Sequence, residues 1–105
     1  MATLVIHAPK AKVQKNGSRS FEETLRLSVG EEYAIPDVIA SRISPGWAVV
    51  VLSKDAKLRA EGKLVKLTPN GKTQTGMQRY DVVMKSLKRV PYKPERLGRT
   101  GVAII

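Results

Sequence analysis

The residues best equipped to do chemistry in this chain are cations. The stretch Lys85-Ser86-Leu87-Lys88-Arg89-Val90-Pro91-Tyr92-Lys93-Pro94-Glu95-Arg96-Leu97-Gly98-Arg99 carries six basic residues (Lys85, Lys88, Arg89, Lys93, Arg96 and Arg99) against the single acid Glu95. Lysine and arginine neutralise phosphates and release condensed counterions, and an embedded ring such as Tyr92 offers a surface on which a base stacks. Pro91 and Pro94 reduce the entropy lost when such a segment orders. The same stretch also reads as a solvated loop that closes the chain. Arg59 and Lys63 form a second candidate platform, on one face of a central hairpin. Trp47, the only tryptophan, follows Pro45-Gly46 at the mouth of an apolar run. It reads either as a plug at the rim of the core or as a base-stacking wall of a pocket.

Other chemistries lack their residues. The chain has no cysteine, so thiol nucleophiles, disulfides and thiolate metal sites are excluded, and its single histidine excludes a multi-histidine metal centre. His7 ends an apolar strand with no nucleophile-elbow motif to serve. Glu22-Glu23 suits the start of a helix and Glu31-Glu32 a solvated turn, so neither pair reads as an acid–base couple. No glycine-rich phosphate cradle is present, and Pro69-Asn70-Gly71-Lys72-Thr73 reads as a hairpin turn rather than the end of a Walker motif. No cofactor, metal or catalytic residue is expected.

The charge balance agrees with the cationic reading. The 105 residues include 19 Lys and Arg and 9 Asp and Glu, for a net charge of +10. Thirteen of the basic residues and four of the acidic ones fall in residues 54–105, so this half carries +9. A field this lopsided draws polyanions at long range, nucleic acid foremost. Solubility alone needs a net charge of about 2–8. The length allows one domain, residues 1–105. The longest apolar run, Trp47 to Leu52, is too short to span a bilayer, and Met1–His7 has no positive region of the secretory kind. A basic cytoplasmic domain that does not enter membranes is expected.

The elements that must position these cations are short. Leu4-Val5-Ile6 reads as a strand. Lys10 to Ser18 is polar with a turn signal at Asn16-Gly17. Ser20-Phe21-Glu22-Glu23 has the form of a capping box, predicting a helix over residues 21–28 with Gly30 as its stop; the alternation in residues 24–29 makes a strand its rival. Residues 31–35 are a strand or an extended link, and residues 36–43 a two-turn helix started by Pro36. Residues 47–52 and 58–67 form a hairpin in which Leu58, Ala60, Gly62 and Leu64 face one way and Arg59, Glu61 and Lys63 the other, with a bulge expected between Gly62 and Val65. Pro69-Asn70-Gly71 marks a turn. A third long strand ends at Met84, and residues 102–105 close the sheet. The fold class is α+β: a small bent mixed or antiparallel sheet, or pseudo-barrel, of about six strands with one or two short helices.

The segment Ile35 to Leu67 resembles the central part of PUA-like domains, which include the ASCH and EVE families. In those domains a short helix precedes a P-G-D-x-V start to an apolar strand, followed by a charged turn and a G-x-G-x-V strand. Pro45-Gly46 and Val49 to Leu52 match, Ala60-Glu61-Gly62-Lys63-Leu64-Val65 matches loosely, and Arg79-Tyr80-Asp81-Val82 resembles the next strand. Trp47 stands where the family has Asp. The resemblance covers a third to a half of the chain and implies a pseudo-barrel that binds RNA or a modified base in a cleft near its helices. The resulting expectation is a nucleic-acid-binding module, RNA before DNA. The alternatives are an ASCH-like hydrolase for a modified nucleoside, and an interaction or structural module of a ribonucleoprotein or phage assembly.

Overall fold

A computed structural model describes residues 2–9, 20–97 and 101–105. The expected polar segment around Asn16-Gly17 and the expected site residue Arg99 lie outside the described residues. The elements are β1 (Thr3–His7), α1 (Phe21–Leu27), β2 (Val29–Ala34), α2 (Asp37–Ala40), β3 (Ala48–Ser53), β4 (Leu58–Lys72), β5 (Gln78–Val90) and β6 (Val102–Ile104). The six strands form one sheet in the order β2-β5-β4-β3-β1-β6. β1 runs parallel to β3, and the other neighbours are antiparallel, so the sheet is mixed. The α+β class and the six strands are as expected. The barrel is not: β2 and β6 end the sheet without pairing to each other.

Local chemistry explains the helices. The Ser20 hydroxyl accepts from the Glu23 N–H at 3.3 Å, capping α1, and Glu22 and Glu23 lie at the positive end of the helix dipole. Ser28 stops the helix in a left-handed conformation (φ 57°), two residues before the expected Gly30, so the strand rival for residues 24–29 loses. α2 is one turn, shorter than its apolar spacing suggests. Both helices lie on one side of the sheet. Phe21 joins Leu4, Ile6, Ile35, Val49, Val51, Ala60, Leu64, Val82 and Met84 in the core there, with Leu25, Ile39 and Ile43 packed against it. Fully burying each of the larger side chains contributes about 1.5–3 kcal/mol.

The long β4–β5 ribbon is where sequence and structure diverge most. Its register slips three times, between Glu61 and Lys63, between Leu64 and Lys66, and between Pro69 and Lys72. The partners show which strand carries each extra residue. β5 has it at the first slip, where Ser86 adopts φ 55°, and β4 has it at the second, around Val65. The expected bulge is therefore a compensating pair, and a residue beyond both returns to its original face. The third slip absorbs the Asn70-Gly71 signal as a bulge with Gly71 at φ 73°, and Pro69 stays in the strand opposite Tyr80. The chain reverses later, where the Thr73 N–H donates to the Met77 carbonyl at 2.8 Å.

Candidate nucleic-acid interface

Cross-strand partners share a face of the sheet, so the register sorts the expected cations. Lys85 pairs with Lys63, and Lys88 with Glu61, while Arg89 pairs with Ala60. Ala60 is a core residue, so Arg89 lies on the helix side. Its guanidinium reaches the Glu22 carboxylate of α1 at 3.7 Å. Lys63, Lys85 and Lys88 lie on the opposite, outer face. All three are exposed, and among the described residues none has a carboxylate within salt-bridge distance. The expected single cluster is thus divided: Lys88 and Arg89 are neighbours in the chain and point to opposite sides.

Arg59, expected to contact phosphate, is already engaged by protein partners. It shares the outer face with Glu61 and Lys63 but is only 7% exposed. Its Nε donates to Glu61 Oε2 at 2.9 Å, and its Nη1 donates to the Lys93 carbonyl at 2.8 Å and to Glu95 Oε1 at 3.0 Å. Burial disfavours the charge, but the hydrogen bonds to Glu61 and Glu95 outweigh it, and the pKa of Arg59 rises above its ordinary value. These bonds place residues 93–95 over the outer face, beyond the end of β5. Val5, Val50 and Leu52 on that face are also buried. Lys93 and Arg96 remain exposed, and Tyr92 is half-buried. Glu61 and Glu95 were not singled out in the sequence. The Arg59–Glu61 alternation on one strand face was a visible signal; the Glu95 partnership, 36 residues away, was not.

Trp47 is partly buried against the core at the start of β3, where its carbonyl accepts from the Leu64 N–H at 2.9 Å. A cavity of about 520 Å³ beside α2 is lined by Asp37, Ala40, Ser41, Ile43 and Pro45 on one side and Leu64, Lys66, Leu67 and Tyr80 on the other. Trp47 is not among its walls. The cleft combines apolar walls (Ala40, Ile43, Leu64 and Leu67) with polar ones (Asp37, Ser41, Lys66 and Tyr80), none of the polar residues marked by a sequence motif. The β3 ladder ends at Lys63, so beyond Leu64, among the described residues, strand β4 pairs with β5 alone, leaving an open edge at Lys66, which also lines the cleft.

Two further groups titrate abnormally. Burial lowers the His7 pKa; Asp55 opposes that shift and Lys54 adds to it. Burial raises the Tyr33 pKa, keeping the phenol protonated, and it donates to the His7 carbonyl at 2.6 Å. Neither these nor Arg59 lines the cleft. Among the described residues no group of three or more His, Asp or Glu is placed to hold a metal ion, and no helix is long and apolar enough to cross a membrane.

No family model, curated protein or solved structure matches this chain.

Proposed function

We propose that the protein is an open-sheet relative of the PUA-like domains that binds single-stranded nucleic acid in the cytoplasm, RNA before DNA. The observation that carries this reading is the register that brings Lys63, Lys85 and Lys88 together on the outer face, where among the described residues none of them makes a salt bridge and Glu61, opposite Lys88, is engaged by Arg59. Phosphates dock on these ammonium groups and release counterions. Lys93 and Arg96 extend the track past the end of β5, and the Tyr92 ring borders it. At the other end the strand passes the open edge at Lys66, and one unpaired base turns into the cleft. There the apolar walls take the base face, while Asp37 and Ser41 offer partners to its edge. A volume of about 520 Å³ accommodates a nucleoside.

The test is a titration of single- and double-stranded RNA and DNA at two salt concentrations, on the wild-type protein and on Lys63→Ala/Lys85→Ala/Lys88→Ala. The triple variant is expected to keep its stability within about 0.5 kcal/mol, since these are exposed surface positions. Its salt slope on single-stranded RNA should fall by about 2, each phosphate contact being worth about 0.7. An unchanged slope removes the outer face from the interface. Absence of wild-type binding at low salt ends the nucleic-acid reading.

A further inference from the structure

Arg59 and Glu95 bring together parts of the chain that no strand pairing connects. Arg59 sits near the start of β4, and residues 91–97 follow the end of β5 outside any regular element. Arg59 as a whole residue is only 7% exposed, a costly position for a permanent charge unless its donors are used. They are used in a directed way. Nε is held by Glu61 within the strand, and Nη1 reaches both the Lys93 carbonyl and the Glu95 carboxylate. The Glu95 side chain is itself largely buried, at 16% exposed, whereas Glu61 is 48% exposed. An acid beside the most basic stretch of the chain weakens any purely electrostatic attraction of that stretch for a polyanion, unless the acid has a task of its own.

We infer that Arg59 and Glu95 form a clamp that fixes residues 91–97 on the outer face of the sheet, so that Lys93 and Arg96 continue the track of Lys63, Lys85 and Lys88 as one polyanion-binding surface. This inference rests on the functional reading above and adds a positioning role that the reading does not need. Neither clamp residue touches the polyanion. Both act by pre-ordering two cations that a loose segment would have to organise at the moment of binding.

Two substitutions at one position separate the clamp from simple charge. Glu95→Gln and Glu95→Ala remove the same negative charge, but glutamine keeps an Oε1 acceptor for Arg59 and alanine does not. Electrostatics alone makes both variants bind a single-stranded RNA such as poly(U) more tightly than wild type, and equally so. The clamp makes Glu95→Gln bind at least as tightly as wild type, whereas Glu95→Ala binds about tenfold more weakly with a salt slope lower by about 1.4, the loss of two cation contacts. Arg59 keeps Glu61 in both variants, and a thermal melt of each shows that the fold persists. Equal binding by the two variants overturns the inference. Hydrogen exchange at the amides of Tyr92, Lys93, Glu95, Arg96 and Leu97 provides a readout independent of nucleic acid: exchange should quicken in Glu95→Ala and stay near wild type in Glu95→Gln. Should the wild-type protein bind no RNA, the functional reading fails, and exchange alone decides the clamp, unchanged rates in Glu95→Ala overturning it.

Discussion

The two faces of the β4–β5 ribbon are built from alternating residues of the same two strands, yet they follow different rules. On the helix side, Ala60, Leu64, Val82 and Met84 are buried and closely packed. On the outer side, Lys63, Lys85 and Lys88 are exposed, and the one buried cation, Arg59, is surrounded by its own partners. Packing on the first face tolerates almost no change of volume, while charge on the second is nearly free of stability cost and available to a partner. The boundary between them is kept by the compensating bulges at Ser86 and Val65. A single slip would have carried every later side chain to the wrong side.

The comparison is broken most severely from the inner face. Leu64→Ala opens a cavity between β4 and β5 and should cost about 2–5 kcal/mol, read as a lower midpoint in urea. Little loss would mean that this face is not the core it resembles. Gly62→Ala acts at the first slip, where an added Cβ would lie 2.8 Å from the Lys85 carbonyl oxygen and 3.0 Å from Leu87 Cα. Both are backbone atoms, so the strands must part, at a cost of about 1–3 kcal/mol. Because the same contact supports Lys85, reduced RNA affinity should accompany the lost stability.

A finer probe separates two adjacent cations. Lys88→Ala should lower the salt slope on single-stranded RNA by about 0.7, while Arg89→Ala, on the helix side with Glu22, should leave the slope unchanged. Its exposed ion pair is worth well under about 1 kcal/mol, so stability should hold too. Equal slopes for the two variants would erase the distinction between the faces. The smallest effect concerns His7, at the end of β1. Its folded pKa lies below the ordinary value of 6.5 chiefly because burial disfavours the imidazolium. The unfolded chain therefore binds the proton first as pH falls. Stability from the neutral ring is fully present above pH 6.5 and is lost as pH drops through the folded pKa. Thermal midpoints of wild type and His7→Gln should thus converge on acidification below pH 6.5; a constant difference would show that His7 does not titrate on unfolding.

Much of this was legible in the residues. The Ser20-x-x-Glu23 box gave α1 its start, and the β-branched run at Val49 to Leu52 gave a strand buried on both faces. The alternation from Leu58 to Leu64 separated the two faces of the strand, and Ala60 and Leu64 lie on the core side. Three features were misread because local signals were overruled. Asn70-Gly71 carries strong turn chemistry, but continued pairing with β5 made it a bulge. The apolar spacing over residues 36–43 suggests two turns, but α2 stops at Ala40 and residues 41–47 lead irregularly into β3. The basic run from Lys85 to Arg89 read as one patch because sequence proximity does not record strand alternation.

What the sequence by itself determined is the set of materials: one small core, six short apolar runs, no thiol or multi-histidine chemistry, and an excess of positive charge in the second half. These follow from composition and periodicity, which depend only on neighbours along the chain. Tertiary structure alone decided that the sheet stays open, that Lys88 and Arg89 part company, and that Arg59 is covered on the outer face by Glu95. Each depends on which strands pair and in what register, a choice made by burying the whole inner face at once.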